Sequence, residues 1–185
     1  MPFLASLRLN IERINTFLGQ LVSWFTLIMA LLTFLIVVLR YGFDLGWIAM
    51  QESVMYLHAS VFMLGAAYTL KEEGHVRVDI FYRKMTPKKQ AYVDIFGSLF
   101  LLLPICIFIV VMSWNYVVKS WRLMESSQAA GGLPLVFILK SLLLCFAITL
   151  LLQAIAEVIK RIVMLKQPVA PSETHSSRHS SNTGA

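Results

Sequence analysis

The chain has 185 residues, of which 58% are hydrophobic and only 14% charged, and its mean hydropathy is +0.72. Water-soluble domains carry about a quarter charged residues, so an ordinary soluble globule is excluded. A net charge of +6 and a pI of 9.5 would suit a nucleic-acid binder, but the basic residues cluster beside apolar runs rather than along one face, and nucleic acid is not expected as a partner.

A bilayer core needs about 20 apolar residues of helix, and four stretches meet that length. Ahead of the first, residues 1–16 place Phe3, Leu4, Leu7, Ile11 and Ile14 at helical spacing, with Ser6, Asn10 and Arg13 opposite. That pattern predicts an amphipathic arm lying in the headgroup region. No charge occurs between Arg13 and Arg40, which predicts a retained first span over about 17–39, too long for a cleaved signal sequence. The second span, about 47–70, carries Glu52 and His58.

Between spans two and three, the alternation of His75 to Ile80 reads as a short connector or surface helix, because a lone strand has no edge to pair with. Thr86 and Pro87 read as an N-cap and first helical residue, so the third helix starts ahead of its charge-free span, 95–118. Pro104 should kink that span. The fourth, about 134–159, opens at Gly131-Gly132-Leu133-Pro134, with Pro in the first helical turn and Lys140 inside the span. The domain plan is thus arm 1–16, bundle 17–165 and a polar tail, 166–185, expected to be disordered, whose His175 and His179 reflect composition rather than a metal site.

Direction follows from lysine and arginine. The N-terminal arm, the connection between spans two and three and the tail hold twelve, whereas the opposite side holds Arg40, Lys119 and Arg122. The positive-inside rule then places both termini in the cytoplasm. The expected fold is an all-α membrane protein of four transmembrane helices, both termini cytoplasmic, with an N-terminal interfacial helix.

Ionisable groups inside a bilayer are costly, and each is a functional candidate. Glu52 is shallow enough to pair with Arg40 or a partner protein, with a proton or ion site as the alternative. His58 lies deeper and is the only histidine in any span, which excludes bis-histidine haem ligation inside one chain and leaves a membrane redox subunit as a third reading, which an absorption spectrum without haem or flavin bands would dispose of. It reads as a packing residue, with a proton relay as the alternative. Lys140, about 9 Å past Pro134, can snorkel to the surface, and a substrate-carboxylate role would need a pocket completed by a neighbouring helix.

Along span four, Ser141, Cys145, Thr149, Gln153 and Glu157 recur every four residues as a slowly winding polar stripe. Gly65 sits among small residues on span two. Both surfaces mark helix contacts, within the bundle or with a second membrane protein. Glu52, His58, Gly65, Lys140, Ser141, Thr149 and Gln153 are therefore candidate partner-interface residues.

What is absent matters equally. A sodium-coupled carrier uses paired broken helices near the midplane, and Pro104 has no counterpart in the other half. No phosphate-binding loop, zinc-ligand spacing or nucleophile elbow occurs, and Cys106 and Cys145 form no CxxC. No catalytic, cofactor or metal site is expected, and the chain does not read as an enzyme or a complete transporter. A stand-alone proton-coupled multidrug exporter using Glu52 is the competing reading.

In combination, Arg40-Tyr41-Gly42-Phe43, Trp47, Glu52, Gly65-Ala66-Ala67-Tyr68-Thr69-Leu70 and Gly74-His75-Val76-Arg77-Val78-Asp79 resemble the small membrane subunit of tripartite ATP-independent periplasmic (TRAP) transporters, over about residues 10–165. Ser120-Trp121, Glu125-Ser126 and Gly131-Gly132-Leu133-Pro134 resemble the branch associated with keto acid, mannitol or chloroaromatic-type labels. Many relatives have a Trp followed sooner by a Glu-Glu pair, where this chain has Gln51-Glu52. The resemblance implies a non-catalytic brace in the bacterial inner membrane. Its partners would be a large sodium-coupled elevator subunit, a periplasmic solute-binding protein that captures carboxylate solutes, and membrane lipids. Arg40, Asp44, Trp47, Lys119, Arg122 and Glu125 would then be candidates for docking the solute-binding protein.

Overall fold

The computed structural model describes residues 2–74, 82 and 84–166. The connector expected over 75–80 and the tail from residue 167 lie outside the described residues. Four helices dominate: α1 (Pro2–Phe43), α2 (Ile48–Lys71), α3 (Pro87–Leu123) and α4 (Val136–Lys166), and each contains a stretch long and apolar enough to cross a membrane. The described residues contain no strand.

The first helix is longer than a span requires. Its 42 residues would extend about 63 Å, roughly twice a hydrocarbon core. Nothing in the sequence breaks it between residues 16 and 17, so the expected arm and the first span form one uninterrupted rod. Its inward face is Ile11, Asn15, Gly19 and Val22, whereas Ile14 and Phe17 point outward. Gly19 is there for space: a Cβ would sit 2.6 Å from Cδ2 of Tyr68, whose ring covers it.

Both α2 and α3 stop in the same way. Glu73 and Met124 take positive φ (54° and 45°), and the next residues turn back, Gly74 N–H donating to Thr69 O at 2.8 Å and Glu125 N–H to Ser120 O at 3.1 Å. These are Schellman ends, which satisfy carbonyls that would otherwise lack partners.

The third helix begins where Thr86-Pro87 predicts, with Thr86 extended and Pro87 in the first turn. Ahead of Pro104 the irregularity is a π turn over Ser98–Leu102, in which Leu103 N–H reaches Ser98 O. Proline lacks an N–H and crowds the carbonyl four residues back, and widening the preceding turn relieves both problems. At the start of α4 the expectation needs correcting. Helix begins at Val136, so Pro134 stands before it rather than within its first turn, because the backbone at Leu133 is held by other partners described below.

The helix that packs extensively against all three others is α4. Small residues make this possible: Ala67, Cys106, Ala147, Ala154 and Ala156 are fully buried, letting backbones approach closely. Ala67, Cys106 and Leu150 join α2, α3 and α4 in one cluster, edged by Leu70, Leu102, Phe146 and Leu151. Large apolar side chains of α1 and α3, such as Trp24, Phe34, Phe108 and Met112, face outward. A bundle turned inside out in this way suits a lipid solvent.

Candidate functional site

The ion pairs and side-chain clasps of the described residues gather at the two ends of the bundle, and His58 lies on its flank between them. At the end formed by the α3–α4 loop, Glu52 reaches across from α2. One carboxylate oxygen accepts from Ser127 Oγ and the other from Leu133 N–H at 2.6 Å. Ser127 N–H in turn donates to Leu133 O at 3.0 Å, closing the loop on itself. Gly132 fits this clasp because it has no side chain: a Cβ would lie 2.6 Å from Ser127 Cβ and 2.8 Å from Glu52 Oε1. Both oxygens of Glu52 thus serve the loop, where the sequence had suggested Arg40 or another protein.

Beside this clasp, Lys140 Nζ meets Glu125 Oε2 at 2.5 Å and lies 4.1 Å over the Tyr116 ring. Ser120 Oγ donates to the same Glu125 oxygen at 2.7 Å. Charge and hydrogen bonds from Lys140 and Ser120 hold the Glu125 carboxyl below the usual glutamate range. Trp121 Nε1 donates to Ser141 Oγ at 2.7 Å, and its ring meets Phe137 edge-on at 4.7 Å. The C-terminal end of α3 is therefore fastened to the first turns of α4 by a cation, an indole and a hydroxyl.

At the opposite end, Asn15 Nδ2 donates to Gln153 Oε1 at 2.7 Å, and both residues are essentially sealed from solvent (1% and 0% exposed). Arg161 touches Glu73 (2.7 Å), Asp94 (3.0 Å) and Glu157 (3.1 Å), joining the end of α2, the start of α3 and α4. Tyr82 OH donates to Asp94 Oδ2 at 2.7 Å, and Lys71 Nζ donates to Thr16 Oγ1 at 3.0 Å. The spacing of the stripe signals part of this cluster, since Arg161 stands one four-residue step beyond Glu157. Asp94 and Glu73 carry no such signal, because their approach depends on how three chain ends meet.

The polar stripe of α4 divides into parts. Ser141 and Gln153 make contacts inside the bundle, Thr149 returns its hydroxyl to its own helix at Cys145 O and Phe146 O, and Cys145 is exposed. Gly65 lies 3.7 Å, from a notional Cβ, to Val22 across the α1–α2 seam. His58 is exposed on α2 and contacts Phe62, with ring centroids 4.6 Å apart. Of the loop candidates, Arg40 and Asp44 line a small pocket of about 340 Å³ at the α1–α2 turn, while Trp47, Lys119 and Arg122 are exposed. Glu125 is engaged by Lys140 as described, so these six residues do not form one cluster.

A family model described as tripartite ATP-independent periplasmic transporters, DctQ component, matches residues 29–164. A protein of Haemophilus influenzae, named provisionally as a TRAP transporter small permease, is 36% identical over 87 residues, which is 47% of this chain and 53% of that relative. The match therefore spans about half the length of the relative. No solved structure gives a match.

Proposed function

The chain belongs to the DctQ component family of tripartite ATP-independent periplasmic transporters, and from that premise we propose that it is a bracing subunit that handles no cargo itself. In this reading it sits in the bacterial inner membrane with both termini in the cytoplasm. There it steadies the fixed scaffold of a large, sodium-coupled elevator subunit that moves carboxylate solutes. A sliding transport domain needs an immobile wall, and a bundle with a long rigid first helix widens the footprint of that wall in lipid.

One observation carries the reading: the two ionisable groups best placed to bind cargo have partners within the chain. Glu52 closes the α3–α4 loop and Lys140 is paired with Glu125. A proton-coupled exporter built on Glu52 would have to break the clasp at every cycle. Arg40, Asp44, Trp47, Lys119 and Arg122, exposed on the helix ends and the α1–α2 turn at one end of the bundle, are the residues offered to a solute-loaded binding protein.

Co-expression with the large membrane subunit of the same transporter, followed by purification in mild detergent through a tag on this chain, tests the assignment. The large subunit should elute in stoichiometric amount, identified by mass. Elution of this chain alone, under conditions where the large subunit is present and folded, would overturn it.

A further inference from the structure

Among the four spans, α2 is the least apolar, yet its apolar window is no more buried within the chain than those of α1 or α3. Polarity on a membrane helix ordinarily faces the bundle interior or a water-filled cavity, because lipid offers no hydrogen-bond partners. On α2 most polar side chains follow that rule, but His58 faces outward. His58 lies ten residues into the helix, about 15 Å from its first residue and about 20 Å from its last, close to mid-depth. Its ring touches Phe62, itself 66% exposed, and no hydrogen bond from a described residue reaches the imidazole. Met55 extends the same exposed stripe by one turn. Phe62 also borders a groove of about 440 Å³ between α1 and α2, lined by Ser23, Thr26, Gly65 and Ala66, where small side chains permit close approach.

We infer that the α2 face bearing Met55, His58 and Phe62, with the adjoining α1–α2 groove, seats a transmembrane helix of the large subunit that presents a hydroxyl, amide or free carbonyl opposite His58. The inference rests on the bracing role proposed above and assigns it a surface. A lipid tail would leave the imidazole unsatisfied. A helix with a polar atom at mid-depth satisfies the ring and fills the groove together.

The test uses the co-expressed complex of full-length subunits in membranes. Photocrosslinking p-benzoylphenylalanine replaces Phe62 on the proposed face, or Phe108, which is similarly exposed on α3. The Phe62 probe should capture the large subunit at a yield severalfold above the Phe108 probe. In parallel, His58→Leu should weaken retention of the large subunit by about threefold to thirtyfold, the range expected for one interhelical hydrogen bond, whereas His58→Asn should retain most of it. Capture by Phe108 while Phe62 reaches only lipid or a second copy of this chain would overturn the inference and leave the bracing role standing. Absence of the large subunit from the membranes' purified complex would remove both. Equal retention by the Leu and Asn variants would refute the hydrogen-bonding role of His58.

Discussion

The Asn15–Gln153 bond fixes where the first third of α1 lies, and breaking it has an asymmetric cost that the geometry sets. In Asn15→Leu, Gln153 loses its partner while its Nε2 already has none among the described residues. A fully buried carboxamide is then left with nothing, which costs about 1–3 kcal/mol. In Gln153→Leu the stranded group is Asn15, but a donor without a partner is removed at the same time, so the loss should be about 1 kcal/mol. The double variant replaces both partners by apolar groups and should cost no more than about 1 kcal/mol relative to the parent, giving a coupling energy of about 1–4 kcal/mol. Reversible unfolding in mixed detergent and dodecyl sulfate micelles measures all four corners of the cycle. Neutral single variants with additive effects would show that the N-terminal third of α1 does not dock on α4 in this register.

Three other outcomes follow from named contacts. Gly19→Ala pushes a Cβ into the Tyr68 ring and should destabilise the α1–α2 seam by about 1–3 kcal/mol, with Tyr68→Ala relieving most of it in the same unfolding assay. Gly132→Ala forces apart Ser127 and Glu52, so amide exchange of residues 126–133 should accelerate while the helix interiors stay protected, read by mass spectrometry. The Glu125 carboxyl is held below the ordinary value of 4.5. Its contribution to stability is therefore full above that value and fades as pH falls below it toward the lowered one, so Trp121 fluorescence should report loosening only in that acidic window. Lys140→Met should shrink that acid transition, leaving the part that the Ser120 hydrogen bond supports, and a transition unchanged in size and position would show that the pair does not hold the loop.

Much of this architecture is legible in the residues because lipid imposes such simple demands. Charge-free runs bounded by Arg13, Arg40, Asp94 and Lys119 mark the spans, and Thr86-Pro87 marks the start of α3. What escapes is tertiary. Nothing local distinguishes an arm lying on the membrane from one continuing as helix, because Asn15 is a surface residue in the first case and meets Gln153, 138 positions away, in the second. Pro134 looks like a first-turn proline until Glu52 captures Leu133 N–H. His58 reads as a packing or partner-interface residue in the sequence, and only the rotation of α2 puts it on the outside of the bundle. The clasp at Gly132 and the charge cluster around Arg161 likewise depend on helix ends brought together by the fold.

The claim that this bundle supports transport without handling cargo is tested most directly by uptake into sealed vesicles. Three preparations are compared under an inward sodium gradient with solute-loaded binding protein outside: this chain alone, the large subunit alone, and the two together. The account predicts accumulation of carboxylate solute by the pair and none by this chain alone. Sodium-driven accumulation by this chain alone would contradict it.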